Sequence, residues 1–191
     1  FDVGILNSTI IPGKSISVGN LSVGGSGKTP MVNYLTSLLQ NEHSIQILSR
    51  GYGRKTTGYR HVNSTDDAST VGDEPLSYFQ KFAPKTDVFV CEKRQEALVK
   101  MNELNPSATI ILDDAFQHRY VKPGLQLLLS PFYEQFLDDW HLPSGNLRES
   151  KQGAHRADAI ILTKCPNLTE EQMMVHRKRY ESYELPIFFS R

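Results

Sequence analysis

The chain has 191 residues, enough for one domain with a substantial core and a small appendage. Lys plus Arg total 21 and Asp plus Glu total 21, and that neutrality argues against general nucleic-acid binding, which needs a basic surface. No apolar run approaches the ~18 residues of a membrane span, no signal-peptide pattern is visible, and Cys91 and Cys165 lack metal-ligand spacing and read as reduced thiols near strand ends. The first residue is Phe1 rather than Met, which reads as a piece excised from a longer protein.

The first element is an apolar β-like run over residues 16–21. It leads into Ser22-Val23-Gly24-Gly25-Ser26-Gly27-Lys28-Thr29 and then a helical pattern. A glycine-rich turn ending in Gly-Lys-Thr between strand and helix suits a triphosphate. The glycines let backbone N–H groups crowd the phosphate oxygens, and the helix N-terminus adds roughly half a positive charge. Lys28 would reach the β- and γ-phosphates and the Thr29 hydroxyl would bind Mg²⁺. The usual pattern begins with glycine, where this chain has Ser22. Pro30 suits a first helical turn, and Met31, Val32, Leu35, Leu38 and Leu39 form an apolar stripe at helical spacing.

A second strand, 45–48, runs into Ser49-Arg50-Gly51-Tyr52-Gly53-Arg54, where Arg50 and Arg54 on a glycine-bearing turn suit an anion. Residues 51–73 read as a long loop. It ends at Gly72-Asp73-Glu74-Pro75, before a helix over 76–82. Acidic residues favour a first helical turn, so spacing alone reads Asp73 and Glu74 as a helix start. The chemical alternative makes Asp73 a base for an acceptor hydroxyl, supported by Glu74. After a strand at 88–91 come Lys93 and Arg94, a further basic pair. Ala97, Leu98, Met101 and Leu104 then mark a helix.

The strand 109–112 ends in Asp113-Asp114, the shape of a Walker B element whose aspartate holds Mg²⁺. Two adjacent carboxylates repel without a cation, so the pair argues for one nearby. Gln117 and His118 follow closely and could touch substrate. A strand at 125–129 precedes an irregular stretch, 130–155. It holds Phe132, Tyr133, Phe136 and Trp140, which read as core or as a contact for an apolar substrate, and the pair Arg148-Glu149. The strand 159–162 ends in Thr163-Lys164-Cys165-Pro166. GTPases read guanine with an aspartate where Pro166 stands, which favours ATP. Thr169 with Gln172 resembles a capping box opening a charged helix to about Tyr183, and a last strand covers 187–189.

Continuous apolar strands alternating with helices imply an α/β domain, doubly wound, with a mostly parallel sheet and helices on both faces, like a P-loop NTPase. Active residues should gather at the carboxyl ends of its strands.

Taken together, residues 18–30, 48–54, 71–75, 112–118 and 142–149 resemble the tetraacyldisaccharide 4'-kinase (lipid A 4'-kinase) family, and the resemblance covers most of the chain. In that family the first P-loop position is commonly a hydroxyl residue, which accounts for Ser22. The resemblance implies ATP- and Mg²⁺-dependent transfer of the γ-phosphoryl group to the 4'-hydroxyl of an acylated glucosamine disaccharide 1-phosphate, giving lipid IVA. It implies a peripheral protein on the cytoplasmic face of the bacterial inner membrane. By carry-over, Asp73 is the catalytic carboxylate, Asp113, Asp114 and Glu149 organise Mg²⁺, and Arg148 sits near phosphate. Ala115 stands where the family often has glycine. The family's catalytic histidine and its membrane-contacting helix lie outside Phe1–Arg191. The expectation is therefore a nucleotide-binding core over 1–185, with 186–191 starting a strand towards a further domain, and weak or no activity alone. The rival readings are a nucleotide switch of the metal-chaperone or targeting type and a kinase of soluble small molecules.

Overall fold

The computed structural model describes residues 9–10 and 14–191. The chain divides into two compact units, Phe1–Ser17 with Thr29–Gly124, and Val18–Lys28 with Leu125–Arg191.

The first unit contains β1 (Thr9–Ile10), the start of β2 (Ser15–Asn20), α1 (Lys28–Leu39) from Thr29 onward, β3 (Ile45–Ser49), β4 (Arg60–His61), α2 (Ala68–Val71), α3 (Asp73–Phe82), β5 (Thr86–Val90), α4 (Arg94–Leu104), β6 (Thr109–Asp113) and β7 (Val121–Lys122). Strands β6, β3 and β5 lie side by side and parallel, with Ile47 opposite both Ile111 and Val88. Residues in β3 and β6 are buried at every position, which is why these strands read as unbroken apolar runs. β4 pairs antiparallel to β5, and β1 pairs separately with β7. Leu48, Phe89, Leu98, Met101, Ile110 and Leu112 form one core cluster.

Three sequence expectations shift here. In α1 the buried face is Met31, Val32 and Thr36. Leu38 is exposed, and Thr36 takes an inward position because its hydroxyl donates to Val32 O (2.8 Å). The stretch 51–73 is not one loop. It contains β4 and α2, and α2 is held by a capping box in which Asp67 accepts from Thr70 N–H and Thr70 Oγ1 accepts from Asp67 N–H. Leu104 closes α4 from an exposed position, while Arg94, at its start, is buried.

The second unit holds residues Val18–Asn20 of β2, then β8 (Leu125–Pro131), β9 (Ala159–Thr163), α5 (Glu170–Arg179) and β10 (Ile187–Phe189). Its strands run in the order β10, β9, β8, β2, with Leu129 opposite Ile161 and Ile161 opposite Phe188 in parallel register. The capping box at Thr169 and Gln172 forms as the sequence implies, but α5 ends at Arg179 and the chain continues into a 3-10 turn, Glu181–Tyr183. The irregular stretch carries two 3-10 turns, Phe136–Asp138 and Lys151–Arg156. Of its aromatic cluster, Phe136 is core and packs edge-on against buried Tyr180 (5.5 Å), whereas Tyr133 and Trp140 are exposed. Both cysteines are free and buried. The parallel strands with intervening helices are of the α/β class read from the sequence.

Candidate active site

In the second unit, the turn between β2 and α1 forms an anion nest. Gly24 and Gly27 take φ of 107° and 87°, conformations that L side chains rarely adopt. Among the described residues, the N–H groups of Gly24, Gly25 and Gly27 donate to no protein acceptor. Ser26 Oγ is buried and has no hydrogen-bond partner there either. Val23, counted with the nest from sequence, has its N–H committed to Asn146 O (2.8 Å). Ser22 makes a β-bridge with Leu147, so its substitution for glycine costs the turn nothing visible.

Three residues hold this nest in shape: Asn20, which sequence reasoning did not single out, and the pair Thr163-Lys164. Asn20, buried at the end of β2, donates from Nδ2 to Ser22 O (2.7 Å), while its Oδ1 accepts from Lys28 Nζ (3.2 Å) and Arg148 Nη2 (2.5 Å). Thr163, ending β9, donates to Ser26 O (2.8 Å), and Lys164, at φ 57°, donates to Gly25 O (2.5 Å). The Thr163-Lys164 pair was visible in sequence only as a base-recognition motif. Arg148 thus lies beside this turn through its bond to Asn20. Glu149 pairs with Arg156 (2.7 Å), the last residue of the 3-10 turn Lys151–Arg156 that follows it.

In the first unit, Asp113 ends β6 fully buried. Its Oδ2 accepts from Ser49 Oγ and from Tyr78 OH, each 3.2 Å, while Oδ1 has no hydrogen-bond partner among the described residues. Thr29 Oγ1 donates to Glu74 Oε1 (2.9 Å). Thr29 and Glu74 thus join the first turns of α1 and α3, while Ser49 and Tyr78 converge on Asp113 at the end of β6. Asp114 follows at φ 46°, a left-handed conformation that costs about 1–3 kcal/mol and persists only where the surrounding structure imposes it. Asp73 is the first residue of α3 and is exposed. Gly72 before it, at φ 93°, comes so near the preceding turn that a Cβ would lie 2.9 Å from Tyr52 O. That contact fixes Asp73 beside the Arg50–Tyr52 turn.

The basic residues divide. Arg50 stays exposed on that turn. Arg54 does not act as a free anion ligand. Its guanidinium is clamped to Glu92 Oε1 (2.6 Å) and to Gly58 O (2.6 Å), and it braces the loop instead. Arg94 is buried and donates to Cys91 O and to Asp113 O (3.4 Å). Burial, and then Arg50 against the pull of Asp113, leaves its pKa near 10, so it stays charged at neutral pH. A cleft lined by Lys93, Arg94, His118 and Tyr120 opens beside it. His118 is held neutral, pushed down to about 4 by burial and by Arg94 and Arg50. Gln117 is half-buried on the same turn.

Burial, followed by the charges of Glu74 and Asp114, pushes the Asp113 carboxyl up to about 6, against the hydrogen bonds from Tyr78 and Ser49. The unfolded carboxyl titrates at ~3.9. Asp113 therefore contributes its full stability below that value and loses it as pH rises through about 6. The depressed His118 has the opposite sign: its contribution is present above its ordinary ~6.5 and is lost as pH falls. Asp113→Asn leaves the contribution of His118 unchanged in both proteins. In thermal melts without divalent cation, the variant is expected to gain on the parent as pH climbs from 4 to 7. A gap that stays constant across that range would remove Asp113's burial from this account.

A family model described as tetraacyldisaccharide-1-P 4'-kinase matches residues 1–187. The tetraacyldisaccharide 4'-kinase of Flavobacterium psychrophilum is 45% identical over 195 residues, covering 100% of this chain and 57% of its own length. That of Bacteroides thetaiotaomicron is 45% identical over 168 residues, covering 87% of this chain and 44% of its own length. The crystal structure of the "apo" form of LpxK from Aquifex aeolicus in complex with ATP superposes with a TM-score of 0.77 at 31% identity, over 100% of this chain and 74% of that one. The chain thus spans about half the length of the curated relatives it matches. With a family match over nearly every residue and a nest and buried aspartate where the motifs lie, the chain belongs to the tetraacyldisaccharide-1-P 4'-kinase family.

Proposed function

We propose that this chain is the nucleotide-binding core of an ATP-dependent kinase that phosphorylates the 4'-hydroxyl of an acylated glucosamine disaccharide 1-phosphate. The observation that carries the reading is the nest: backbone donors at Gly24, Gly25 and Gly27 left open beside a charged Lys28. ATP as donor is supported by the Aquifex aeolicus relative, which was crystallised with ATP, and by Pro166 at the guanine-reading position.

Phosphoryl transfer needs positioning and charge neutralisation more than covalent chemistry. The nest and Lys28 would spread the charge of the β- and γ-phosphates, with Arg148 held beside them on Asn20. Asp73 would orient the sugar hydroxyl and accept its proton, with Glu74 as neighbour. Arg50, Arg94, Gln117 and His118 offer two cations and two neutral hydrogen-bonding groups for the acceptor's sugar and phosphate.

The residues fit Mg²⁺. Asp113 Oδ1 is buried with no hydrogen-bond partner among the described residues, a state that suits a cation. Among the described residues, no three His, Cys, Asp or Glu side chains converge to hold a metal. Mg²⁺ is commonly bound by one or two carboxylates together with substrate phosphates and water. Thr29, Asp113 and Asp114 would hold it, and Glu149 is the less suited because Arg156 engages it. When bound, it supplies charge neutralisation on the phosphates.

No helix among the described residues is long and apolar enough to cross a membrane. A peripheral place at the cytoplasmic face of the inner membrane would bring the enzyme to its lipid acceptor. The test is transfer of labelled γ-phosphate by the full-length protein, offered acylated disaccharide 1-phosphate or soluble sugars. Label in the lipid alone is the expected result. Label in soluble sugars instead, or GTP outperforming ATP, would overturn the assignment.

A further inference from the structure

The second unit presents a tightly closed loop at residues 140–147. Leu147 N–H donates to Trp140 O (2.9 Å), Leu142 N–H to Leu147 O (3.1 Å), and the N–H groups of Ser144 and Gly145 both donate to His141 O (2.9 and 3.0 Å). Asp139 Oδ1 accepts from Trp140 N–H (2.8 Å) and Asn146 N–H (3.0 Å). Gly145 is required, because a Cβ there would lie 2.4 Å from Trp140 O. The base of the loop is tied to the phosphate nest through Val23 N–H to Asn146 O and Arg148 N–H to Leu21 O, both 2.8 Å.

This loop satisfies much of its own backbone and buries Leu147, yet it shows Trp140 and Leu142 to solvent. Trp140 is 73% exposed and Leu142 53%. Residues 140–147 contain no Asp, Glu, Lys or Arg. The adjoining acids are engaged: Asp138 with Arg179 (2.6 Å), and Asp139 with the loop's own N–H groups. The charge left beside the tip is Lys151, whose Nζ lies 6.0 Å from the Trp140 ring and donates to Leu137 O (2.6 Å). Internally bonded backbone is what an apolar phase demands of a protein segment. An indole beside a lysine suits the headgroup level of a bilayer, where the ring meets the apolar boundary and the ammonium meets phosphate.

We propose that the 140–147 loop is a bilayer-contact surface, with Trp140 and Leu142 entering the boundary between headgroups and acyl chains and Lys151 at the phosphates. A lipid bilayer is the occupant that the charge pattern favours: an apolar tip below one cation. The proposal agrees with the lipid-acceptor reading above, but its test needs no phosphoryl transfer, so the two can fail separately.

Trp140 is the chain's one tryptophan, so its fluorescence reports this loop alone. The 191-residue chain is titrated with phosphatidylcholine vesicles, with and without anionic lipid. The expected result is a blue shift of emission and quenching by lipids brominated on the acyl chains. Leu142→Asp is expected to weaken vesicle binding about 10-fold or more, the loss of one buried apolar side chain, with ATP affinity unchanged. If that variant fails to fold, Leu142→Ser carries the same test. Emission insensitive to saturating lipid overturns the proposal. So does a shift that follows protein concentration without lipid, which marks a second copy on the loop, and so does undiminished binding by the Leu142 variant.

Discussion

Lys28→Ala is expected to lower turnover of the full-length enzyme by at least ~10²-fold, the usual loss when one preorganised donor to developing charge is removed. ATP affinity should fall by about 10- to 100-fold, the equivalent of a charge-assisted hydrogen bond. The reason is local. Lys28 Nζ donates to Asn20 Oδ1 (3.2 Å), which places the ammonium at the nest. The alanine variant should still fold, because Asn20 Oδ1 keeps Arg148 Nη2 and Asn20 Nδ2 keeps Ser22 O. Titration of ATP into parent and variant, beside a thermal melt of each, checks both statements. Equal affinity in the two proteins would count against the nest as the phosphate site.

Asp73→Ala should separate chemistry from binding. Turnover is expected to drop by ~10²–10⁴, the span typical of a lost general base, while ATP affinity stays within about 2-fold. The structure favours this separation. Asp73 is exposed at the first turn of α3, so its removal opens no cavity. Its place is set by backbone, through the close approach of Gly72 to Tyr52 O, and not by its own carboxylate. Steady-state kinetics with varied lipid acceptor and a parallel ATP titration give the two numbers. Turnover equal to the parent's would remove Asp73 from the mechanism.

The motifs were legible because each is local. A strand, a glycine turn and a helix occupy consecutive residues, and the backbone conformations at Gly24 and Gly27 follow from residue type. Asp113 at the end of an apolar run was legible for the same reason. The functions of Arg54 and Asn20 were not. Arg54 looked like an anion ligand because a basic residue on a glycine-bearing turn usually faces solvent. Its true partner, Glu92, lies 38 positions away. Asn20 is separated from Arg148 by 128 positions, and nothing around residue 20 announces that its amide will organise a lysine and an arginine at once.

The same division holds for the aromatic segment. Residue type made Phe132, Tyr133, Phe136 and Trp140 look alike, and packing then split them, Phe136 against Tyr180 and Trp140 to solvent. Hydrophobicity states a preference for burial, but which ring is buried depends on the backbone that carries it.

By itself the sequence determined the strand–turn–helix nest, the Asp113-Asp114 pair, the α/β class and the family, since these depend on residue order over short windows. The tertiary structure alone decided that Asp113 is buried with one oxygen open, that Tyr78 and Ser49 hold its other oxygen, and that Arg54 is spent on Glu92. Those outcomes depend on side chains converging from distant strands and helices, and burial then sets their charge state, which no single stretch of chain encodes.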